Sequence, residues 1–168
     1  WWECPKGHKW ETTPNKRTYR GDGCPFCAGK RACIDNSLAS LSPAIAKEWH
    51  PTKNKDLTPE DVTNSSPKKV WWQCSKFNQH EWDALIKSRT GRGHGCPFCD
   101  SKRVSPENSL AFKSPDVAKE WHPTKNGKAT PEDFTFGSKK KVWWQCPKHK
   151  SHIYESLIQS RTRGHGCP

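Results

Sequence analysis

A set of cysteine and histidine residues that returns at a constant interval is the feature that most restricts how this chain can fold. A Cys…His pair followed by Cys-Pro-Phe-Cys occurs twice in full, and Cys24 and Cys96 mark an interval of 72 residues. Tryptophans keep the same interval, as Trp49 and Trp121 show. Because internal repeats decide the architecture of a chain, we predict a tandem array of small modules.

The repeats divide the 168 residues into three parts. Repeat 1 covers residues 1–69 and contains a metal module followed by a helical joining segment. Repeat 2 covers residues 70–141, and a partial repeat 3 covers residues 142–168. The sequence stops inside the second cysteine motif of repeat 3, so we expect it to be a piece of a longer array.

The composition also favours several small modules, each held together by cross-links rather than by a large core. Only 31% of the residues are hydrophobic and 27% are charged, so the chain has too few apolar residues for one large core. The ten tryptophans argue against disorder, because disordered chains are poor in aromatic residues. No segment approaches the length of about 20 apolar residues that a membrane-spanning helix requires, so no membrane partner is expected.

Three cysteines and one histidine in each repeat have the spacing of a structural zinc site. A Cys-x-x-Cys motif places two sulfurs on one ion, and the Cys…His pair completes a closed tetrahedron. Four protein ligands leave no open position for a substrate, which predicts a structural ion. The predicted ligands are Cys4, His8, Cys24 and Cys27 in repeat 1, Cys74, His80, Cys96 and Cys99 in repeat 2, and Cys146, His152 and Cys167 in repeat 3.

The repeat also selects the ligand histidines. His8, His80 and His152 each precede an aromatic residue by two positions and an acidic residue by three, which favours His152 over His149. The fourth ligand of the third site would fall at position 170, beyond the sequence. We therefore predict two complete Zn²⁺ sites and one truncated site.

The remaining histidines and one cysteine are predicted to lie outside the metal sites. His94 and His165 have no counterpart in repeat 1, and we expect them to contact phosphate or water. His50 and His122 recur beside Trp and Pro, and we expect packing or hydrogen-bonding roles. Cys33 has no partner in repeat 2, so a free thiol is expected.

Disulfides and iron are the competing interpretations of the cysteines. The recurring histidine, the Cys-x-x-Cys spacing and the odd cysteine count favour a metal over disulfides. Iron more often takes four cysteines. Cysteines kept as zinc ligands also predict an intracellular, reducing compartment.

The pattern around the cysteines predicts small α+β modules, each a zinc-binding β-hairpin with short helices. Val70–Gln73 is predicted to be a strand, and the alternation over Trp82–Ile86 predicts its return strand. Ser42-Pro43 predicts a helix start, and Thr58–Asp61 predicts a single helical turn.

The adjacent tryptophans of each repeat must point to opposite faces of a strand. For Trp71 and Trp72 we predict that one ring packs on the hairpin near Trp82. The other ring is predicted to meet the short helix that carries Trp49. Base stacking by the second ring is the alternative.

The combined signature resembles the tandem treble-clef or probable zinc-ribbon repeat family. It comprises Val-Trp-Trp-x-Cys…His-x-Trp…Gly-Cys-Pro-Phe-Cys and then Glu-Trp-His-Pro-Thr-Lys-Asn. The resemblance covers the whole chain and implies zinc held by the Cys/His sets. The family occurs in arrays, sometimes beside nuclease-like domains, which implies a role with nucleic acid. Tyr154 and the wider Cys-to-His gap of repeats 2 and 3 depart from the pattern.

The charge favours a polyanionic partner, since 29 basic and 17 acidic residues give a net charge of +12. We expect a non-enzymatic array that binds DNA or RNA through phosphate contacts, because the chain has no recurring catalytic set. A structural subunit of a large assembly is the alternative, and no small-molecule substrate is expected. The predicted nucleic-acid contacts are Lys68, Lys69, Lys140, Lys141, Arg17, Arg89, Arg161, Arg20, Arg92, Arg163, Lys102 and Arg103.

Overall fold

A computed structural model describes residues 1–168 and contains only short helices and strands. The strands form three two-stranded antiparallel sheets, β1–β2, β3–β4 and β5–β6. Their bounds are β1 Trp2–Glu3, β2 Lys9–Trp10, β3 Lys69–Gln73, β4 Glu81–Leu85, β5 Lys141–Gln145 and β6 Ile153–Leu157. The helices are α1 Pro14–Thr18, α2 Leu38–Leu41, α3 Pro43–Ala46, α4 Ile86–Thr90, α5 Leu110–Lys113, α6 Pro115–Ala118 and α7 Ile158–Thr162, with 3-10 helices at Pro106–Asn108 and Pro131–Asp133.

The hairpin over β3 and β4 confirms the predicted strand pair, with Trp72 opposite Trp82. The return strand ends one residue earlier than predicted, because Ile86 begins helix α4. Ile86 and Arg89 lie three positions apart on that helix and are both buried. Residues at this spacing share one helix face, so α4 folds back against its own hairpin.

The joining segment of repeat 1 contains two short helices where one was predicted. Ser37 caps α2, since its hydroxyl oxygen accepts a hydrogen bond from the Ser40 amide at 3.2 Å. Ser42 precedes Pro43 as predicted, but its side chain makes no capping bond. Thr58–Asp61 forms the predicted turn, closed by a 3.2 Å bond from the Asp61 amide to the Thr58 carbonyl.

The chain forms two compact units, residues 1–94 and 95–168, and this division does not follow the repeat boundaries. In each unit the joining segment packs against the hairpin that follows it in sequence. Antiparallel bridges pair Trp49 with Trp72 and Trp121 with Trp144. The core of the second unit consists of Leu110, Val142, Trp144 and Ile158, surrounded by Val117, Ala118, Trp121, Phe134 and Tyr154.

In repeat 2, one tryptophan of the adjacent pair makes both of the contacts that are predicted for two. Trp72 is fully buried opposite Trp82, and its ring meets that of Trp49 edge-on, with centroids 5.6 Å apart. Trp71 points to the other face and is 37% exposed, with the Lys53 ammonium 4.5 Å from its ring centroid. The contact with Trp49 that is predicted for the second ring is therefore made by Trp72, the ring that also packs on the hairpin.

None of the helices is both long enough and apolar enough to cross a membrane.

Candidate metal centres

The first cluster begins at the tight turn between β1 and β2. The Cys4 amide donates to the His8 carbonyl at 3.1 Å, and the Gly7 amide donates back to the Cys4 carbonyl at 2.8 Å. Gly7 has a φ of 79°, a conformation that glycine adopts without strain. The turn therefore brings the Cys4 sulfur and the His8 ring to the same side.

The Cys-Pro-Phe-Cys motif supplies the other two sulfurs from a second turn. The Ala28 amide donates to the Cys24 carbonyl at 3.0 Å, which closes this turn. The Cys27 amide donates to the Cys24 sulfur at 3.5 Å. Amide hydrogen bonds to sulfur stabilise the thiolate form, which is the form that binds metal.

The distances within the first cluster fit a zinc ion. The sulfurs of Cys4, Cys24 and Cys27 lie 3.4, 3.6 and 3.4 Å from His8 Nδ1, and those of Cys4 and Cys27 lie 3.8 Å apart. A tetrahedral ion with ordinary Zn–S and Zn–N bonds of about 2.3 and about 2.0 Å requires separations of about 3.8 Å (S to S) and about 3.5 Å (S to N). Both the donor types and their spacing therefore match zinc.

Asp35 supplies an outer contact that the sequence analysis missed. Its carboxylate lies 3.0 Å from His8 Nε2, whereas the sulfurs of Cys4, Cys24 and Cys27 face Nδ1. A carboxylate at this position fixes the tautomer and orientation of a ligand histidine. The acidic residue at the matching position of repeat 2, Glu107, is the signal that could have identified it.

Cys33 lies beside the same ring nitrogen, with its sulfur 3.6 Å from His8 Nε2. His8, Cys33 and Asp35 thus form a further group of potential ligands. Because Nδ1 of His8 faces the three cysteines of the first cluster, we interpret Cys33 and Asp35 as its outer neighbours. Cys33, like the other cysteines, forms no disulfide, and its role as a free thiol stays a prediction.

Two further sets of donors have the same chemistry. In the last of these sets the ligand atoms lie within 4.8 Å of one another. In this third cluster, the Cys146 amide donates to the His152 carbonyl at 3.0 Å, which repeats the turn of the first cluster. The Cys167 sulfur lies 3.6 Å from His152 Nδ1. The sets are Cys74, His80, Cys96 and Cys99, which is complete, and Cys146, His152 and Cys167, which has three donors.

The thiols of the first cluster influence one another's ionisation. Partial burial opposes ionisation of Cys4, but hydrogen bonds from the Lys6 and His8 backbones and from the other cysteines lower its pKa to about 7. Burial and hydrogen bonds to Cys24 and Cys4 raise the pKa of Cys27 to about 11. One thiol therefore ionises readily without metal, whereas another requires an ion to displace its proton.

The other histidines lie outside these clusters. His50 is buried, and its Nδ1 accepts hydrogen bonds from the Thr52 and Lys53 amides at 3.2 and 3.1 Å. Nε2 therefore carries the proton and donates to Glu81 at 2.9 Å. This confirms the hydrogen-bonding role predicted for His50, and His122 makes the same two amide contacts.

Two of the predicted nucleic-acid contacts are not on the surface. Arg89 is buried and ion-paired with Glu48, and Arg161 is buried and ion-paired with Glu120. The prediction is wrong for these two residues, because both guanidiniums are held by a carboxylate in the core. Arg17 is half-buried, with its guanidinium 5.5 Å from the Trp2 ring centroid. The exposed residues of the set are Lys68, Lys69, Lys140, Lys141, Arg20, Arg92, Arg163, Lys102 and Arg103.

Short hairpins that carry Cys/His clusters of zinc type define a small α+β zinc-finger protein, which confirms the predicted fold class. The chain belongs to the family described as "Probable Treble clef zinc finger domain", which matches residues 1–30, 45–102 and 117–168. This match confirms the resemblance inferred from the sequence. Among curated proteins, none matches the chain.

Proposed function

We propose that this zinc-finger array is non-enzymatic and binds nucleic acid, DNA or RNA, mainly through phosphate contacts. The observation that carries the proposal is the recurrence of exposed cations at matched positions, as with Lys68 and Lys140. Phosphate contacts require Lys and Arg but no strict sequence code. A repeated module would place such contacts along a nucleic-acid backbone at regular intervals.

The net charge supports the same proposal after the metal is counted. Six thiolates and two Zn²⁺ ions in the complete sites change the formal +12 by −6 and +4, which leaves about +10. The ion pairs of Arg89 and Arg161 remove equal numbers of positive and negative charges. The surface therefore stays strongly basic.

The size of the helices favours phosphate and shape recognition over base recognition. The α-helices contain only four or five residues each. A helix that reads base edges in the major groove is longer and presents several side chains along one face. We accordingly propose little sequence specificity.

The closed donor sets support a non-enzymatic role. A catalytic zinc ion keeps one coordination position for water or substrate. Cys4, His8, Cys24 and Cys27 supply all four ligands of a tetrahedron. We propose that the ions hold the modules in shape and that the exposed cations do the binding.

A role as a structural subunit of a large assembly is the second candidate. It is favoured by exposed apolar side chains, since Ile34 is 82% exposed and Phe112 is 66% exposed. Phe112 also borders a cavity of about 520 Å³ with Val104 and Ala111. Apolar and aromatic surfaces of this kind are typical of protein–protein contacts.

Binding of the zinc-loaded chain to duplex DNA, single-stranded DNA and structured RNA tests the proposal. We expect affinity to fall steeply between about 50 and about 200 mM salt, because bound phosphates release counterions. Sequence variants of each probe should bind alike. Negligible binding to all three probes would refute the proposal and leave the protein-partner candidate.

A further inference from the structure

A cleft in the first unit brings together basic residues that are far apart in the sequence. Lys30 and Arg31 follow the Cys-Pro-Phe-Cys motif, whereas Lys68 directly precedes β3. All three line one cavity of about 350 Å³. Ser66 and Thr63 add hydroxyl groups to its wall.

The backbone that carries two of these cations is held firmly. The Lys30 and Arg31 amides both donate to the Pro25 carbonyl, at 2.8 and 3.1 Å. The Asn36 side-chain amide donates to the Arg31 carbonyl at 3.0 Å. A ligand that binds side chains on a fixed backbone causes a smaller loss of conformational entropy in the protein.

The carboxylates of the cleft do not neutralise it. Glu60 and Asp61 line the same cavity as the three cations. The Thr58 hydroxyl and amide donate to Asp61 at 2.6 and 3.0 Å, which lowers the pKa of that carboxyl. Asp61 therefore stays ionised, and three cations against two carboxylates leave this cleft a formal excess of one positive charge.

A second cavity adjoins the first. It has a volume of about 220 Å³ and shares Lys30 and Arg31 with the larger cleft. Lys16 and Trp10 also line it, together with the carboxylates of Glu11 and Asp22, so this cavity too has three cations against two carboxylates. Lys68, the Lys30–Arg31 pair and Lys16 therefore form three successive cationic positions across this unit.

We propose that these two cavities form a phosphodiester track, in which successive phosphates of one nucleic-acid strand occupy the two sides of the Lys30–Arg31 wall. This inference rests on the proposed function and names the site that performs it. The planar guanidinium of Arg31 can bind a phosphate through two parallel hydrogen bonds. Linked phosphates can fill both cavities together, whereas a free anion fills only one at a time.

The matching positions of repeat 2 carry the same residue types. Lys102, Arg103 and Lys140 lie 72 residues after Lys30, Arg31 and Lys68. A site of the same class is therefore expected in repeat 2.

The test compares two variants of the zinc-loaded full chain that lose the same charge. The first is Lys30→Gln with Arg31→Gln, and its control is Lys47→Gln with Lys113→Gln, which removes two exposed lysines elsewhere. The probe is a fluorescein-labelled single-stranded DNA of roughly 20 nucleotides, longer than a typical single-module site. Zinc content and tryptophan fluorescence establish that each variant is folded.

The track variant is expected to lose more affinity than the control. The slope of log affinity against log salt should become shallower by about 1.4, or about 0.7 for each lost contact on a single strand. Lys68→Gln, which lies outside the cysteine turns, should reduce the slope by about 0.7. Inorganic phosphate should compete far less well than an unlabelled oligonucleotide.

The outcomes separate this inference from the proposed function. Equal losses in the track and control variants would overturn the track but leave nucleic-acid binding intact. Equal competition by inorganic phosphate would show a free-anion site and would also overturn the track. Failure of the unmodified chain to bind any nucleic acid would refute both.

Discussion

Glu48 and Arg89 lie 41 positions apart in the chain and form a buried ion pair against the aromatic core. The Arg89 guanidinium carbon is 4.8 Å from the Trp72 ring centroid and 5.1 Å from that of Trp82. The Ser75 hydroxyl donates to the other Glu48 oxygen at 3.0 Å. The pair therefore joins the segment after α3 to the helix that follows the hairpin, and Glu120 and Arg161 repeat it in the second unit.

Removal of either partner of this pair should destabilise the first unit strongly. Glu48→Gln or Arg89→Met leaves one buried charge without its partner, which typically costs about 3–5 kcal/mol. Urea unfolding of the zinc-loaded protein, followed by tryptophan fluorescence, measures the change. The exposed pair Lys119–Asp116 provides the control, because Lys119→Gln should cost less than about 1 kcal/mol. Similar losses of stability on substitution of the buried pair and of the exposed pair would contradict a stabilising role for the buried ion pair.

Substitution of a cluster cysteine should remove one zinc ion. Cys24→Ser is expected to lower the metal content of the chain by one ion, because serine is a poor zinc ligand. Cys33→Ser is the matched control and should leave the metal content unchanged, since Cys33 contacts His8 only through the outer ring nitrogen. Metal analysis after dialysis measures both. Loss of zinc from the Cys33 variant would show that its sulfur is a ligand.

Asp35→Asn should weaken zinc binding without abolishing it. The asparagine can still accept a hydrogen bond from His8 Nε2, but it no longer carries the charge that increases the basicity of the ring. Loss of such an outer partner typically lowers metal affinity by about 10–100-fold. Competition with a chromogenic chelator measures the affinity. Asp56→Asn, an exposed substitution outside the clusters, should bind zinc as tightly as the unmodified chain.

Zinc binding should release protons and weaken as the pH falls. The raised pKa of Cys27, about 11, keeps its thiol protonated in the metal-free protein at neutral pH. Zinc must displace that proton, so acid competes with the ion for the sulfur. Chelator competition between about pH 8 and about pH 5 should therefore show affinity falling continuously towards the acid end. An affinity that does not change over this range would contradict thiolate ligation.

The two adjacent tryptophans should differ sharply in their contribution to stability. Trp72→Ala leaves a cavity between the hairpin and the joining segment, which typically costs about 3–5 kcal/mol. Trp71→Ala removes a partly exposed ring covered by Lys53, and its cost should be much smaller. Urea unfolding compares the two variants. If Trp71→Ala lowered nucleic-acid affinity while stability was kept, base stacking on Trp71 would be supported.

The metal clusters could be predicted from the sequence because their determinants are local. Zinc accepts few ligand types, and two tight turns bring the donors together over short spans, as in Cys4…His8 and Cys24…Cys27. The 72-residue repeat then separated the recurring histidines from His149. Asp35 was missed because a carboxylate in a loop has no spacing rule that connects it to a distant ring.

The sequence by itself determined the repeat, the zinc chemistry and the hairpins, since each depends on residue type at short spacing. Only the tertiary structure decided which face of each strand is covered. Alternation along β3 separates Trp71 from Trp72, but the packing of the preceding segment makes Trp72 the core residue. The same packing buries Arg89 beside Glu48 and brings Lys68 to Lys30 and Arg31, because these contacts join residues that the chain order keeps far apart.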